Sequence, residues 1–341
     1  MMGSYKRVIV TGHQGYIGPH LIQLLKSAGY YTTGIDLGLF EGCEWYPSVK
    51  PDEEKRLDIR QLTVKDFEGF DAVIHLAAIS NDPMGELASE LTKNVNLYGS
   101  MHLAQRAKEA GVKKFLFSSS CSIYGKGRDE SLNENADLMP LSVYAESKIL
   151  TEKFLSSLAS PNFCPVFLRN STAFGHSPMF RVDLVVNNLL ACAYTKGSIQ
   201  IQSDGTPWRP LMHCYDIARA FMLFLDAPDN LVKNIPFNIG SNNGNYQVKD
   251  VADLIQQELP NAKIVYTGEV GKDPRNYKVD FSRLEKIFPH FKLEYDLQKG
   301  IHEMHKLMKK FSFSLTDFDG DKFVRLRRFK KILAENNALF L

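Results

Sequence analysis

Short apolar runs alternate with stretches of helical periodicity through the first half of the chain. Val8-Ile9-Val10 predicts a strand from Arg7 to Thr11, and Leu21, Leu24 and Leu25 then fall at helical spacing up to a stop near Gly29. Further strands are expected at Thr32 to Asp36, Lys55 to Ile59, Ala72 to Leu76, Lys114 to Ser118 and Val166 to Arg169, with helices at about Leu91 to Ala110 and Val143 to Leu158. Strands that are apolar throughout must be covered on both faces, so helices between them imply a parallel sheet. Right-handed crossovers make that an α/β, doubly wound arrangement. Beyond Gly175 the regularity fades into turns such as Ser203-Asp204-Gly205 and Asn242-Asn243-Gly244. Three parts are expected: a doubly wound domain over 1–174, a smaller mixed α/β substrate-binding lobe over 175–311 with segments of about 206–235 returning to the first, and a C-terminal helical extension over 312–341. In that extension Phe323, Leu326, Phe329, Ile332 and Leu333 are spaced for one apolar helix face.

Composition narrows the class. Among 341 residues, 41 basic and 39 acidic side chains leave a formal charge of +2, which predicts neither nucleic-acid nor membrane binding. Apolar content of 44% and charged content of 23% are those of a soluble globular protein. The five cysteines (Cys43, Cys121, Cys164, Cys192, Cys214) are dispersed, with no Cys/His spacing that suits a metal, so reduced thiols in the cytoplasm are expected. A strand beginning at Arg7 leaves no room for a signal peptide, and no apolar run approaches the ~18–20 residues of a membrane span.

Thr11-Gly12-His13-Gln14-Gly15-Tyr16-Ile17-Gly18 joins the first strand to the first helix. Glycines at this spacing allow a tight turn and close approach of a pyrophosphate, and the free amides of the helix start favour negative charge. Pro19 falls in the first turn, where a missing amide costs little. Asp36 closes the second strand and suits the ribose hydroxyls of the adenosine. No Arg or Lys lies between Thr32 and Glu44 to receive a 2′-phosphate. Residues 1–174 therefore read as a Rossmann-type domain binding NAD, with Gly12, Gly15, Tyr16, Ile17, Gly18 and Asp36 as cofactor residues.

Tyr144 and Lys148 open a helix one turn apart on the same face, so the ammonium can favour the phenolate. About two dozen residues earlier, Phe117-Ser118-Ser119-Ser120-Cys121 ends an apolar strand, at the edge where open parallel sheets bind their ligands. A serine hydroxyl there can hydrogen-bond the oxygen that Tyr144 deprotonates.

These ordered motifs, with Leu57-Asp58-Ile59, His75-Leu76-Ala77-Ala78, Asn94-Val95-Asn96 and Leu168-Arg169-Asn170, resemble the extended short-chain dehydrogenases that act on nucleotide sugars, the epimerases and dehydratases, over roughly residues 6 to 300. The resemblance implies that Asp58 and Ile59 border the adenine, that Leu76, Ala77 and Ala78 line the cofactor, and that Asn96 stands behind it. It puts Ser120 in the catalytic Ser/Thr place beside Tyr144 and Lys148. Arg209, in Gly205-Thr206-Pro207-Trp208-Arg209, and Arg275, in Asp273-Pro274-Arg275-Asn276-Tyr277, look like the arginines that hold a substrate diphosphate. A homodimer through the helices near 91–110 and 143–158 is implied as well.

The chain departs from the family pattern in two places. The 4,6-dehydratases carry Asp-Glu directly after the catalytic Thr; here Cys121 and Ser122 stand there, and neither can act as a carboxylic acid. After Arg169 the 4-epimerases place an Asn three residues on, where this chain has Thr172; Asn187 and Asn188 are candidates to compensate. Asp317-Phe318-Asp319-Gly320-Asp321 misplaces the glycine of a calcium loop, and no metal is expected. The expected activity is an NAD-dependent epimerase acting on a nucleoside-diphosphate sugar, at carbon 4. The alternatives are a 4-ketoreductase or dehydrogenase using the same residues, and a non-catalytic NAD sensor.

Overall fold

The computed structural model describes residues 6–80, 82–125, 131–268 and 275–335. Its strands are β1 (Arg7–Thr11), β2 (Tyr31–Asp36), β3 (Glu53–Arg56), β4 (Ala72–His75), β5 (Lys114–Ser120), β6 (Cys164–Asn170), β7 (Thr172–Phe174), β8 (Ser198–Ile201), β9 (Trp208–His213), β10 (Pro236–Ile239), β11 (Asn245–Gln247) and β12 (Lys263–Tyr266). Seven of them form one parallel sheet in the order β10-β6-β5-β4-β1-β2-β3. This is the doubly wound α/β fold expected, and the order reverses between β1 and β4. Smaller sheets join β11-β9-β7 and β12-β8.

Wholly buried side chains of β1, β4 and β6 pack against the helices on one face, and Ile9, Val73, Phe115 and Phe117 pack on the other. Helix Cys214–Asp226 lies in the same core as Leu21, Ile22 and Leu25 of helix Gly18–Ser27. With β10 paired to β6, the chain beyond residue 175 thus re-enters the first sheet.

Two elements differ from their sequence expectation. β3 ends at Arg56 rather than reaching Ile59. It is an edge strand with alternating exposure, so it lacks the two-sided apolar signature, while the apolar Leu57 and Ile59 belong to the turn that follows. There the Asp58 carboxylate accepts the Arg60 amide at 2.8 Å and starts a 3₁₀ turn. The helix expected over 91–110 is compound: α-helix at Ser89–Thr92 and Ser100–Glu109, π-helix at Lys93–Gly99 between them. Such wide turns occur mostly where a function constrains a helix.

The C-terminal helix runs from Arg325 to Glu335. Phe323 precedes it and joins an aromatic cluster with Trp45, Phe180 and Phe313; the Trp45 and Phe180 rings are 4.4 Å apart. Phe329 packs with Ile79, Met84 and Leu91. None of the described helices is long and apolar enough to cross a membrane.

Helix Val143–Leu158 is tied to β6 by a buried ion pair, Arg169 Nη2 to Glu152 Oε2 at 2.8 Å. Arg169 also donates to Tyr124 Oη at 3.1 Å and to the Glu134 carbonyl at 3.0 Å. Removing one partner of such a pair strands a buried charge. Glu152→Ala should therefore lower unfolding stability by about 3–5 kcal/mol, measured by urea denaturation.

Candidate active site

The carboxyl ends of β1, β2, β4, β5 and β6 open on one cavity of about 300 Å³. Its floor begins at Gly12, whose φ of +74° turns the chain out of β1. A Cβ on Gly12 would lie 2.6 Å from the Ala77 amide nitrogen, and one on Gly18 would lie 2.2 Å from the His13 carbonyl oxygen. Only glycine allows these backbone approaches, which leave the first turn of helix Gly18–Ser27 facing the cavity. That turn has no side-chain cap, so its amides are open to an anion.

Asp36 accepts the backbone amides of Gly38 at 2.9 Å and Gln14 at 3.1 Å. It thus binds the end of β2 to the glycine turn and still lines the cavity. Asp58 lines it as well, held by Arg60 Nη2 at 2.7 Å. Beneath the turn, His75 Nδ1 meets Thr11 Oγ1 at 2.6 Å and Nε2 meets Ser100 Oγ at 2.8 Å. Burial, with Lys148 adding to it, pulls the His75 pKa down to about 3, so this linker stays neutral. The cradle, the carboxylate at the end of β2 and the apolar lining from Leu76 to Ile79 together fit a dinucleotide.

On the opposite wall stand Ser120, Tyr144 and Lys148. Ser142 caps the helix by accepting the Ala145 amide at 3.2 Å, which puts Tyr144 in the first turn and Lys148 one turn later. Lys148 Nζ is buried, donates to the Ser118 carbonyl at 2.7 Å and lies 5.5 Å from the centroid of the Tyr144 ring. Ser120 ends β5, accepts the Ser122 amide at 3.1 Å and hydrogen-bonds Tyr144.

The electrostatics differ from the sequence expectation. Burial and then Asp82 push the Tyr144 phenol up to about 12, against the Ser120 hydrogen bond and the charges of Arg181 and Arg275. Burial draws the Lys148 ammonium down to about 7, with Glu152 opposing. A desolvated ammonium is less readily charged than a free lysine and so does less to favour the phenolate. Asp82 also accepts a hydrogen bond from Ser142 and pairs with Arg275 Nη1 at 2.6 Å.

Of the residues predicted from sequence, Gly12, Gly15, Tyr16, Ile17, Gly18, Asp36, Asp58, Ile59, Leu76, Ala77, Ala78, Ser120, Tyr144, Lys148 and Arg275 line this cavity. Four others are placed elsewhere. Asn96 spends its side-chain amide on Ile79, accepting from its nitrogen at 2.8 Å and donating to its oxygen at 3.0 Å, which holds the lining from behind. Asn187 is fully buried: its Oδ1 accepts the Gly175 amide, and its Nδ2 donates to Tyr16 Oη and the Arg181 carbonyl. Asn188 lies on the same helix outside the lining. Arg209 donates to the carbonyls of Trp208 and Arg275, so it braces the segment that carries Arg275 instead of facing the cavity. Asp273 and Pro274 lie outside the described residues.

Sequence reasoning did not single out Asp82, Arg181 or Phe40, which line the cavity, and it reads the basic tail of Arg325, Arg327, Arg328, Lys330 and Lys331 as the solvated face of a packed helix; Arg325 is instead buried and lines the cavity as well. Arg181 is gripped by Asp183 at 3.0 and 2.8 Å and donates to Ser80 at 3.2 Å. The Arg-x-Asp spacing was the only local signal for it. Among the described residues, no group of three His, Cys, Asp or Glu side chains could hold a metal ion.

Comparison with known proteins places this geometry. The model of the NAD dependent epimerase/dehydratase family matches residues 8–240. The chain is 26% identical to the UDP-glucose 4-epimerase of Lacticaseibacillus casei over 319 residues, 82% of this chain and 94% of that enzyme. It is 28% identical to the dTDP-D-glucose 4,6-dehydratase of Mus musculus, over 74% of each. A solved NAD-dependent NDP-hexosamine 5,6-dehydratase of tunicamycin biosynthesis shares the fold with a TM-score of 0.78 at 21% identity, covering 89% of this chain and 98% of that one. UDP-glucuronic acid 4-epimerase from Bacillus cereus, solved with UDP-glucuronic acid and NAD, gives 0.76 at 23% identity, covering 89% and 99%.

Asp82→Asn removes a negative charge that raises the Tyr144 pKa and frees the Arg275 cation that lowers it. Both changes favour the phenolate, so the rising alkaline limb of the kcat/KM profile should move to lower pH. An unmoved limb would mean that Asp82 does not act on the phenol.

Proposed function

The chain belongs to the NAD dependent epimerase/dehydratase family, and from that premise we propose that it is a nucleotide-sugar 4-epimerase, with Tyr144 as acid/base, Ser120 and Lys148 as its partners and a nucleoside-diphosphate sugar as substrate. The family acts with NAD, which supplies when bound a reversible acceptor for the hydride on the sugar carbon. Gly12, Gly15 and the first turn of helix Gly18–Ser27 would hold its pyrophosphate, and Asp36 its adenosine ribose. In the forward half-reaction the Tyr144 phenolate takes the proton of the C4 hydroxyl while Ser120 orients that oxygen. Lys148, fixed on the Ser118 carbonyl, faces the Tyr144 ring as the nearby cation. The sugar ketone then presents its other face, and Tyr144 returns the proton to the same oxygen. Arg275 is the cation on hand for the substrate diphosphate, once it exchanges Asp82 for phosphate oxygens.

The observation that carries this reading is that Ser120, Tyr144 and Lys148 share one wall with no carboxylic acid directly after Ser120. Cys121 is buried and donates its thiol to the Arg169 carbonyl at 3.1 Å, while burial raises its pKa. Elimination of water would need an acid there. The relatives named above as 4-epimerases lend the same support.

The homodimer is proposed as well. Leu87, Tyr98 and Leu150 are exposed on or beside the helices expected to form its interface. Light scattering should return twice the 38.6 kDa of the chain, and a monomer would reject it.

The deciding experiment incubates the protein with UDP- and dTDP-linked hexoses and far less NAD than substrate, and follows products by NMR. A C4 epimer formed over many turnovers is expected. Product limited to the amount of NAD would make it a 4-ketoreductase or dehydrogenase, and a product lighter by one water would make it a dehydratase. Tyr144→Phe should lower kcat roughly 10²–10⁴-fold with NAD affinity retained; undiminished turnover would remove Tyr144 from the mechanism.

A further inference from the structure

The C-terminal helix lies beyond residues 8–240, which match the family model, yet it contributes Arg325 and Phe329 to the wall of the dinucleotide cavity. Arg325 is 3% exposed. Its guanidinium carbon stands 4.2 Å from the ring centroid of Phe40, which follows Asp36 by four residues. One nitrogen, Nη2, donates to the Met179 carbonyl at 3.3 Å. The other, Nη1, is buried with no hydrogen-bond partner among the described residues.

Three features work against a cation at this position. Burial comes first and the neighbouring Arg181 second, and together they lower the Arg325 pKa to about 10. The third is its place at the start of a helix with no acidic residue in its first turn, where the macrodipole favours anions. Two neighbours oppose these effects without removing them: the Cys43 thiol hydrogen-bonds Arg325 but burial pushes its own pKa up, away from the thiolate, and Asp183 is already held by two nitrogens of Arg181. A buried guanidinium still charged at neutral pH, with one nitrogen unpaired and a cavity in front of it, is arranged for an anion that the protein does not itself provide.

The cavity's known occupant class offers that anion. Arg275 stands with Asp82 beside Tyr144, at the reacting end, whereas Arg325 stands with Phe40 on the side of Asp36 and the glycine turn. We propose that Arg325 binds the pyrophosphate of a dinucleotide seated on the glycine turn, making the C-terminal helix a clasp on the cofactor, with Phe329 as its apolar anchor on Ile79, Met84 and Leu91. This rests on the dinucleotide occupying the cavity. Helix amides and a guanidinium would then both donate to the phosphates.

Calorimetric titration of the full-length protein with NAD, ADP-ribose, adenosine and UDP-glucose tests it, with Arg325→Gln and Arg325→Lys compared to wild type. Circular dichroism and melting curves confirm that each variant is folded. Loss of a charge-assisted grip should weaken NAD and ADP-ribose about 10- to 100-fold in Arg325→Gln. Arg325→Lys should fall between, since it keeps the charge without the fork. Adenosine, which has no phosphate, and UDP-glucose should bind as in wild type. Equal weakening of adenosine and ADP-ribose would make Arg325 a packing residue, and weakening of UDP-glucose alone would assign it to the substrate. Either result, or unchanged NAD binding, overturns the proposal. Wild-type protein that binds neither NAD nor ADP-ribose would overturn the cofactor reading itself, and the clasp with it.

Discussion

The approach of the Gly12 backbone to the backbone of Ala77 is the constraint on which the site depends. Strands β1 and β4 are hydrogen-bonded neighbours, and the chain leaves both at the same edge of the sheet. With a Cβ at position 12 only 2.6 Å from the Ala77 nitrogen, the two exits could not both follow their present courses. Glycine lets the turn fold flat, and the helix start after it points its unbonded amides into the crevice. The remaining site residues are placed relative to that crevice. Asp36 is bound to the turn through the Gln14 amide, and Asn96 holds Ile79 behind the lining.

The reacting wall is positioned by a different device. Ser120 lies where β5 ends, in register with Asn170 of β6. Tyr144 and Lys148 lie where a capped helix begins. The two are locked together by the Arg169–Glu152 pair and by the Lys148 contact with Ser118. The burial that packs this wall also raises the pKa of the phenol and lowers that of the ammonium. Cationic groups in the cavity therefore govern how readily Tyr144 ionises, and Asp82 opposes them.

Around this family core the chain adds a tail that packs at both ends. Phe323 is anchored among Trp45, Phe180 and Phe313, and Phe329 against Ile79, Met84 and Leu91. A short helix fixed at both ends is well placed to bring a charge to the cavity, and Arg325 is that charge.

Much of this was legible in the chain itself, because local physics sets it. Apolar runs of strand length specify buried parallel strands, glycine spacing specifies a tight turn, and one helical turn between Tyr144 and Lys148 puts them on one face. Edge strand β3 was misplaced because an edge has only one buried face. The π-turn has no periodicity signal of its own, and its Asn96 carbonyl meets the Thr151 hydroxyl only once the chain is folded. What only the tertiary structure decided was which polar side chains face the ligand. Asn187 and Arg209 carry the right chemistry, but folding gives them other partners: the Gly175 amide and the Tyr16 hydroxyl for Asn187, and the Arg275 carbonyl for Arg209. Asp82, Arg181 and Arg325 have no motif and reach the cavity from three separate segments. A side chain's reactivity depends on who its neighbours are and how much water they exclude, and those are set by contacts between residues far apart along the chain.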